Sequence, residues 1–260
     1  MVLQYNQIFY FKELMIIYRL FNISFLNGDY HIVIEKLRKG GLMVVPSGPG
    51  LATIGKDLQY TKAVQNADFA IPDSRYMILL LNLLKGIRIN KLSGYDFLFN
   101  FFKEDFKSND LFLIDPNKKE ANINNLYLNE IGVPIPKSFH YIAPLYKREE
   151  IKDQALLDKL NSMENKPNYI MINLGSNVQE PLGYYLKKYL TFKPAIICTG
   201  AAISFFTGSQ TNISPLIDKI GLGWLMRCID KPSLYIPRYI KAFKLLLMII
   251  KTDIQVIREK

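Results

Sequence analysis

Asp73 is the carboxylate with the strongest claim to chemistry in this chain of 260 residues. It follows a short apolar run, Phe69-Ala70-Ile71-Pro72, and precedes a long apolar stretch from Tyr76 to Leu84 that Gly86 closes. The pattern predicts a buried strand, a turn, and a mostly buried helix with a glycine stop. Ligands gather at the carboxyl ends of strands in open α/β sheets, so an acid at this turn is a candidate general base. Asp is equally a preferred helix N-cap, and from this segment alone capping is the stronger reading.

Three further turns carry small residues: Ser47-Gly48-Pro49-Gly50, Gly175-Ser176 and Gly200-Ala201-Ala202. Such turns let a phosphate or sugar approach backbone amides. None matches the dinucleotide fingerprint or the P-loop, and a plain tight turn explains each one equally well. Gln179 and Glu180 fall in the first turn of the next expected helix, where an acid suits the helix dipole. Asp96, in Ser93-Gly94-Tyr95-Asp96, either starts a helix or reads a substrate. Arg227 lies among Trp224, Leu225 and Met226, where an unpaired charge would be costly, so it calls for a protein carboxylate or a ligand phosphate. There is no Asp-x-Asp pair to hold a divalent metal against a nucleotide diphosphate. In a nucleotide-sugar enzyme, Arg227 and Arg238 would be the natural groups to neutralise the leaving diphosphate, because guanidinium pairs bidentately with phosphate. No metal or other cofactor is expected.

The elements that must position these residues repeat one pattern. Leu42-Met43-Val44-Val45, Leu111-Phe112-Leu113-Ile114, Tyr169-Ile170-Met171-Ile172 and Ala195-Ile196-Ile197-Cys198 are apolar runs that end at turns and alternate with helical segments. Strands apolar on both faces argue for a mainly parallel sheet with helices on both sides. A further strand is expected over 138–142 and a helix over 149–163. Beyond Pro215 the chain becomes apolar and basic, and Pro232 and Pro237 are expected to break it. From Lys231 onward seven Lys or Arg face only Asp253 and Glu259, and 245–250 is wholly apolar. This segment is too short to span a bilayer; it suits an interfacial anchor or a helix docked on the protein's own core.

Composition bounds the partners. A formal charge of +10 points to anions: nucleotide phosphates, a membrane surface or nucleic acid. Two cysteines and two histidines make a disulfide framework, a zinc site or a histidine triad improbable, and suggest an intracellular chain. The N-terminus lacks the features of a signal peptide. Nucleic-acid binding rests on net charge alone, with no binding motif, and is set aside.

Taken in order, these segments resemble the WecG/TagA/CpsF family of bacterial glycosyltransferases over about Phe25 to Tyr239. The resemblance runs through Phe25-Leu26-Asn27-Gly28, Asp57 to Asp73, and Gly94-Tyr95-Asp96. It continues through Leu174-Gly175, Gln179-Glu180, Gly200, Gly208 and Pro215, and closes in Gly221 to Arg227, Pro232 and Arg238-Tyr239. It implies a Rossmann-like α/β core over 1–215 and a C-terminal basic-apolar helical appendage over 216–260 that associates with membrane and closes over the active site. The implied reaction is metal-independent, inverting transfer of a sugar such as N-acetylmannosamine from its UDP form. The implied acceptor is polyprenyl-diphosphate-linked, and the work is done at the cytoplasmic face of the plasma membrane during teichoic acid, common-antigen or capsule synthesis. Asp73 matches the family's proposed general base, and Gln179 its pocket glutamine. Lys91 stands where many members carry arginine, and Arg227 and Arg238 match appendage arginines. Ser47, Gly48, Asp96, Gly175, Glu180 and Gly200 complete the expected donor site. Departures fall at Val45 and Ser47 (Thr-x-Asn in many members), Ser74 (usually Gly), Asn177 (usually Pro), Ser204 (usually Asp) and Leu234 (usually Arg). They leave open a catalytically weak, membrane-bound partner of another transferase, and a homo-oligomer is equally open.

Overall fold

The structure, a computed structural model, describes residues 15–107, 109–147, 150–208, 223–230 and 232–259. The chain begins with two antiparallel strands, β1 (Met15–Leu20) and β2 (Ile23–Asn27), then α1 (Tyr30–Leu37) and β3 (Gly41–Val44). Next come the short α2 (Gly48–Leu51), α3 (Leu58–Gln65), β4 (Phe69–Ala70), α4 (Arg75–Lys85) and α5 (Gly94–Phe101). The second half runs β5 (Leu111–Asp115), α6 (Lys118–Glu130), β6 (His140–Ile142), α7 (Gln154–Ser162), β7 (Tyr169–Ile172), α8 (Gln179–Tyr189) and β8 (Ala195–Cys198). A 3-10 segment, Gly200–Phe205, follows β8. The described C-terminal part holds α9 (Gly223–Asp230), α10 (Pro232–Ala242), α11 (Lys244–Lys251) and β9 (Gln255–Glu259).

Among the described residues these strands form one nine-stranded sheet in the order β6-β5-β7-β8-β3-β4-β2-β1-β9. From β6 to β2 the pairings are parallel; β1 is antiparallel to both β2 and β9. Every residue of β3, β5 and β8 is buried, as a strand covered on both faces requires. The expected α/β, mainly parallel architecture is therefore what the chain adopts.

The differences from expectation are local. The 138–142 strand begins at His140, because Lys137–Phe139 forms a 3-10 turn. The helix expected over 149–163 starts at Gln154, where the Asp153 carboxylate accepts from the Leu156 amide at 2.9 Å. Prolines 232 and 237 do not break the chain. Pro232 opens α10, where its missing N–H would be unpaired in any case, and Pro237 is carried inside that helix. The antiparallel edge of β1, β2 and β9 had no counterpart in the sequence reading. Its last strand seats the chain's end on β1, with Lys36 and Glu259 in an ion pair at 3.0 Å. Residues 216–222 lie outside the described residues.

Candidate active site

Strand register places the small-residue turns side by side. Val44 at the end of β3 pairs with Ala70 of β4 on one side and Cys198 of β8 on the other, and β8 pairs with β7. The turns that follow these ends carry Ser47, Asp73, Gly200 and Gly175 along one carboxyl edge of the sheet. The outermost of the four strands lie three steps apart, about 14 Å at the usual inter-strand spacing. This edge is where open α/β sheets take ligands.

The helix cap at α4 is Ser74, not Asp73. Ser74 Oγ accepts from the Met77 amide at 3.2 Å, and the residue is buried. This corrects the capping reading of Asp73. The Asp73 carboxylate, half-buried, instead turns toward the start of α5, where Oδ1 accepts from the Gly94 amide at 3.4 Å. The segment preceding α5 is held there because the Leu92 amide donates to the Pro72 carbonyl at 3.2 Å. Lys91 therefore flanks the Asp73 turn, and it too is half-buried. Asp96 proves to be part of a helix start: it is exposed, its amide donates to Ser93 Oγ at 3.0 Å, and Ser93 Oγ donates back to its carboxylate.

On the β3 side, Ser47 caps α2, accepting from the Gly50 amide at 3.3 Å. The appendage helix α10 packs against this same short helix, and Lys244 Nζ reaches the Ala52 carbonyl at 3.4 Å. Arg227 sits on α9 and Arg238 on α10, but their side chains, like that of Leu234, lie outside the described residues.

The β7 side is the most tightly built. Gln179 opens α8 and is buried; its Oε1 accepts from the Gly200 amide at 2.7 Å and its Nε2 donates to Glu180 Oε1 at 3.1 Å. Glu180, 1% exposed, uses its other oxygen to accept from the Asn177 amide at 2.8 Å. Asn177 has φ +70 and donates from Nδ2 to Asp57 Oδ2 at 2.9 Å and to Thr53 Oγ1 at 3.3 Å. Gly200 takes φ +64, left-handed backbone that a side chain would strain. Burial pushes the Glu180 carboxyl up to about 7, against the hydrogen bonds from Gln179 and the backbone amides that favour the charge. Burial also raises the Tyr60 hydroxyl well above its ordinary value, with Glu180 and Asp57 adding to the effect. Cys198 is likewise raised by burial and by Glu180, so this thiol is no nucleophile.

The sequence points to Gln179 and Glu180 but not to Asn177, which donates to Glu180, to Asp57, which accepts from Asn177, or to Tyr60 nearby. One signal was available: Asn between a Gly-Ser turn and a helix is among the few residues that accept left-handed backbone. Among the described residues no cluster of three or more His, Cys, Asp or Glu is arranged to hold a metal ion.

A model of the glycosyl transferase WecG/TagA/CpsF family matches residues 18–258. The chain is also similar to N-acetylglucosaminyldiphosphoundecaprenol N-acetyl-beta-D-mannosaminyltransferase of Bacillus spizizenii (strain ATCC 23059 / NRRL B-14472 / W23). The two are 23% identical over 214 residues, which cover 78% of each chain.

Proposed function

We propose that this chain, which belongs to the WecG/TagA/CpsF family and is a glycosyltransferase, moves a sugar from a UDP-sugar onto a polyprenyl-diphosphate-linked saccharide with inversion. The relative's printed name supports an N-acetylglucosaminyl-diphosphoprenol acceptor and N-acetylmannosamine as the sugar moved. Cell-surface polysaccharide, teichoic acid or capsule synthesis is the setting for such a step.

The observation that carries the mechanism is the division of labour at the end of β4. Ser74 caps α4, while the neighbouring Asp73, in the turn after β4, accepts from the Gly94 amide at the start of α5. In the reaction Asp73 takes the proton from the acceptor hydroxyl as its oxygen attacks the anomeric carbon. The new C–O bond forms as the bond to the diphosphate breaks, and UDP leaves with that electron pair. Such a base contributes roughly 10²–10⁴ in rate. Ser47, Gly48, Lys91, Gly175 and Gly200 border the donor side. Arg227 and Arg238 would meet the departing diphosphate, a metal-independent arrangement that the lack of an Asp-x-Asp pair supports.

The appendage gives the enzyme a means of meeting a lipid-linked acceptor. Ile236, Ile240, Phe243, Leu247 and Ile250 are 44%, 63%, 66%, 59% and 50% exposed, close in sequence to Lys241, Lys244 and Lys251. Among the described residues no helix is long and apolar enough to cross a membrane, so this basic-apolar surface would lie on an anionic bilayer at its cytoplasmic face.

The test is UDP release from a panel of UDP-sugars, with and without the lipid-linked acceptor, for wild type and Asp73→Asn. Turnover in the variant should fall at least about a hundredfold while UDP binding persists. Near-normal turnover by the variant would refute the base assignment, and no turnover by wild type would favour a non-catalytic partner subunit.

A further inference from the structure

Glu180 is buried in a place where nothing about a helix dipole requires it to be. Both of its carboxylate oxygens are engaged, one by the Asn177 amide and one by Gln179 Nε2. Each of those partners leads to another element. Through Gln179 Oε1 the hold passes to the Gly200 amide after β8, and through Asn177 Nδ2 to Asp57 at the start of α3. Glu180 is therefore the junction that ties the β7, β8 and α3 turns together, and it does so from a buried position. Gly175 is exposed, with no atom within 4 Å of where a Cβ would stand. Asn177 is in left-handed backbone, which Asn accepts more readily than most L-residues.

We propose that Glu180 is a positioning residue: its ionised carboxylate fixes the Asn177 turn and, through Gln179, the Gly200 turn, and so sets how tightly the site holds the diphosphate of its donor. The consequence for a nucleotide-sugar donor rests on the function proposed above; the clamp itself does not. The ionisable groups that face Glu180 are Asp57 and Tyr60 from the start of α3 and Cys198 from the end of β8. Burial holds Tyr60 and Cys198 protonated, and burial of its own carboxyl is the chief cause that favours the protonated form of Glu180. Protonation converts one acceptor oxygen into a donor that faces an N–H, and one of the two holds is lost. The carboxyl titrates near neutrality, so the clamp is closed above about pH 7 and loosens below it.

The test compares wild type, Glu180→Gln and Asn177→Gly between about pH 5.5 and about pH 8.5 by two readouts. The first is KM and kcat for a UDP-sugar, whose diphosphate has no ionisation of its own near neutrality. Wild-type KM should rise about tenfold toward the acid end, the effect expected from one lost charge-assisted hydrogen bond. Glu180→Gln should show that raised KM at every pH, with kcat changed less than about threefold. Asn177→Gly keeps the left-handed backbone but removes the tether to Asp57, and should raise KM by a smaller factor without flattening the pH profile. The second readout, hydrogen exchange at the Asn177 and Gly200 amides without ligand, should be faster in Glu180→Gln and in wild type at low pH after correction for intrinsic rates. Unchanged exchange, or a wild-type pH profile of KM that survives in Glu180→Gln, would overturn the proposal. Should no UDP-sugar be turned over, the functional reading falls and the exchange experiment alone decides the clamp. Should Glu180→Gln fail to fold, wild-type exchange against pH and Asn177→Gly decide it.

Discussion

The buried carboxyl of Glu180 makes a prediction about stability that runs opposite to ordinary acid denaturation. Its folded value lies near 7, against 4.5 for an ordinary glutamate, and the cause is burial. An acid whose value is raised on folding binds its proton more tightly in the native state. Its stabilising term is complete below about pH 4.5 and is lost as pH rises through about 7. A difference of roughly 2.5 units at 1.36 kcal/mol each gives about 3 kcal/mol between the two ends of that window. Other carboxylates respond in the opposite sense, so the effect must be read against Glu180→Gln, which carries no proton to lose. Urea denaturation followed by circular dichroism at several pH values would give ΔG for both proteins, with equal m-values as the check that both unfold alike. The quantity to follow is ΔG of wild type minus ΔG of the variant. It should fall by about 3 kcal/mol from pH 4.5 to pH 8 whatever constant the substitution itself adds. A flat difference would mean that water reaches this carboxyl and that the reasoning from burial is wrong. The same titration that costs stability would close the clamp proposed above, so the form better arranged for a donor is the less stable one, a recurrent trade at active sites.

Two other substitutions examine the parts that hold the site in place. A Cβ at Gly183 would stand 2.8 Å from Leu42 Cδ1 and 2.9 Å from Cys198 Sγ, both fully buried. Gly183→Val should therefore cost up to about 3 kcal/mol and lower Tm by roughly 2–4 °C for each, and an unchanged Tm would show that α8 does not rest on β3 and β8 as described. At the membrane surface, Leu247→Glu with Ile250→Glu should leave Tm within about 2 °C, because both side chains are half exposed, yet reduce sedimentation with anionic vesicles at least about tenfold. Undiminished vesicle binding by that variant would place the membrane contact elsewhere. Point substitutions are the sharper test here, because deleting the tail also removes β9 from the sheet.

What was legible in the sequence follows from which interactions are local. Central strands such as Leu111–Asp115 and Ala195–Cys198 are buried on both faces, so they are written as apolar runs that no helix period explains. The strands at the antiparallel end of the sheet are not. Met15–Leu20 and Gln255–Glu259 are mixed in character, and their pairing is a contact between the two ends of the chain, with no local trace. The site divides in the same way. Gln179 and Glu180 announce themselves beside a glycine turn, but Asn177, which donates to Glu180, is tethered in turn to Thr53 and Asp57, 124 and 120 residues away in sequence. Sequence supplied the groups; only the folded arrangement says that Gln179 and Glu180 spend their polar atoms on the protein itself.

The same distinction bears on the departures from the family pattern. Ser74 stands where many members have glycine after the aspartate, and read alone it casts doubt on Asp73. In the fold the serine hydroxyl caps α4 from a buried position. It also fills space against Gly48, where a Cβ would come within 2.9 Å of Ser74 Oγ. A serine there supplies a hydrogen bond that glycine cannot, though as a cap it is worth only roughly a few tenths of a kcal/mol over glycine. With the cap made by its neighbour, Asp73 is not the residue that caps α4, and its Oδ1 accepts from the Gly94 amide. The substitution is thus accommodated by Gly48, a residue of the facing turn, and is compatible with the base role proposed for Asp73. If Ser74 were instead the mark of a decayed site, restoring glycine would raise turnover. The packing argues the reverse, since Ser74→Gly would remove the cap and leave a void against Gly48.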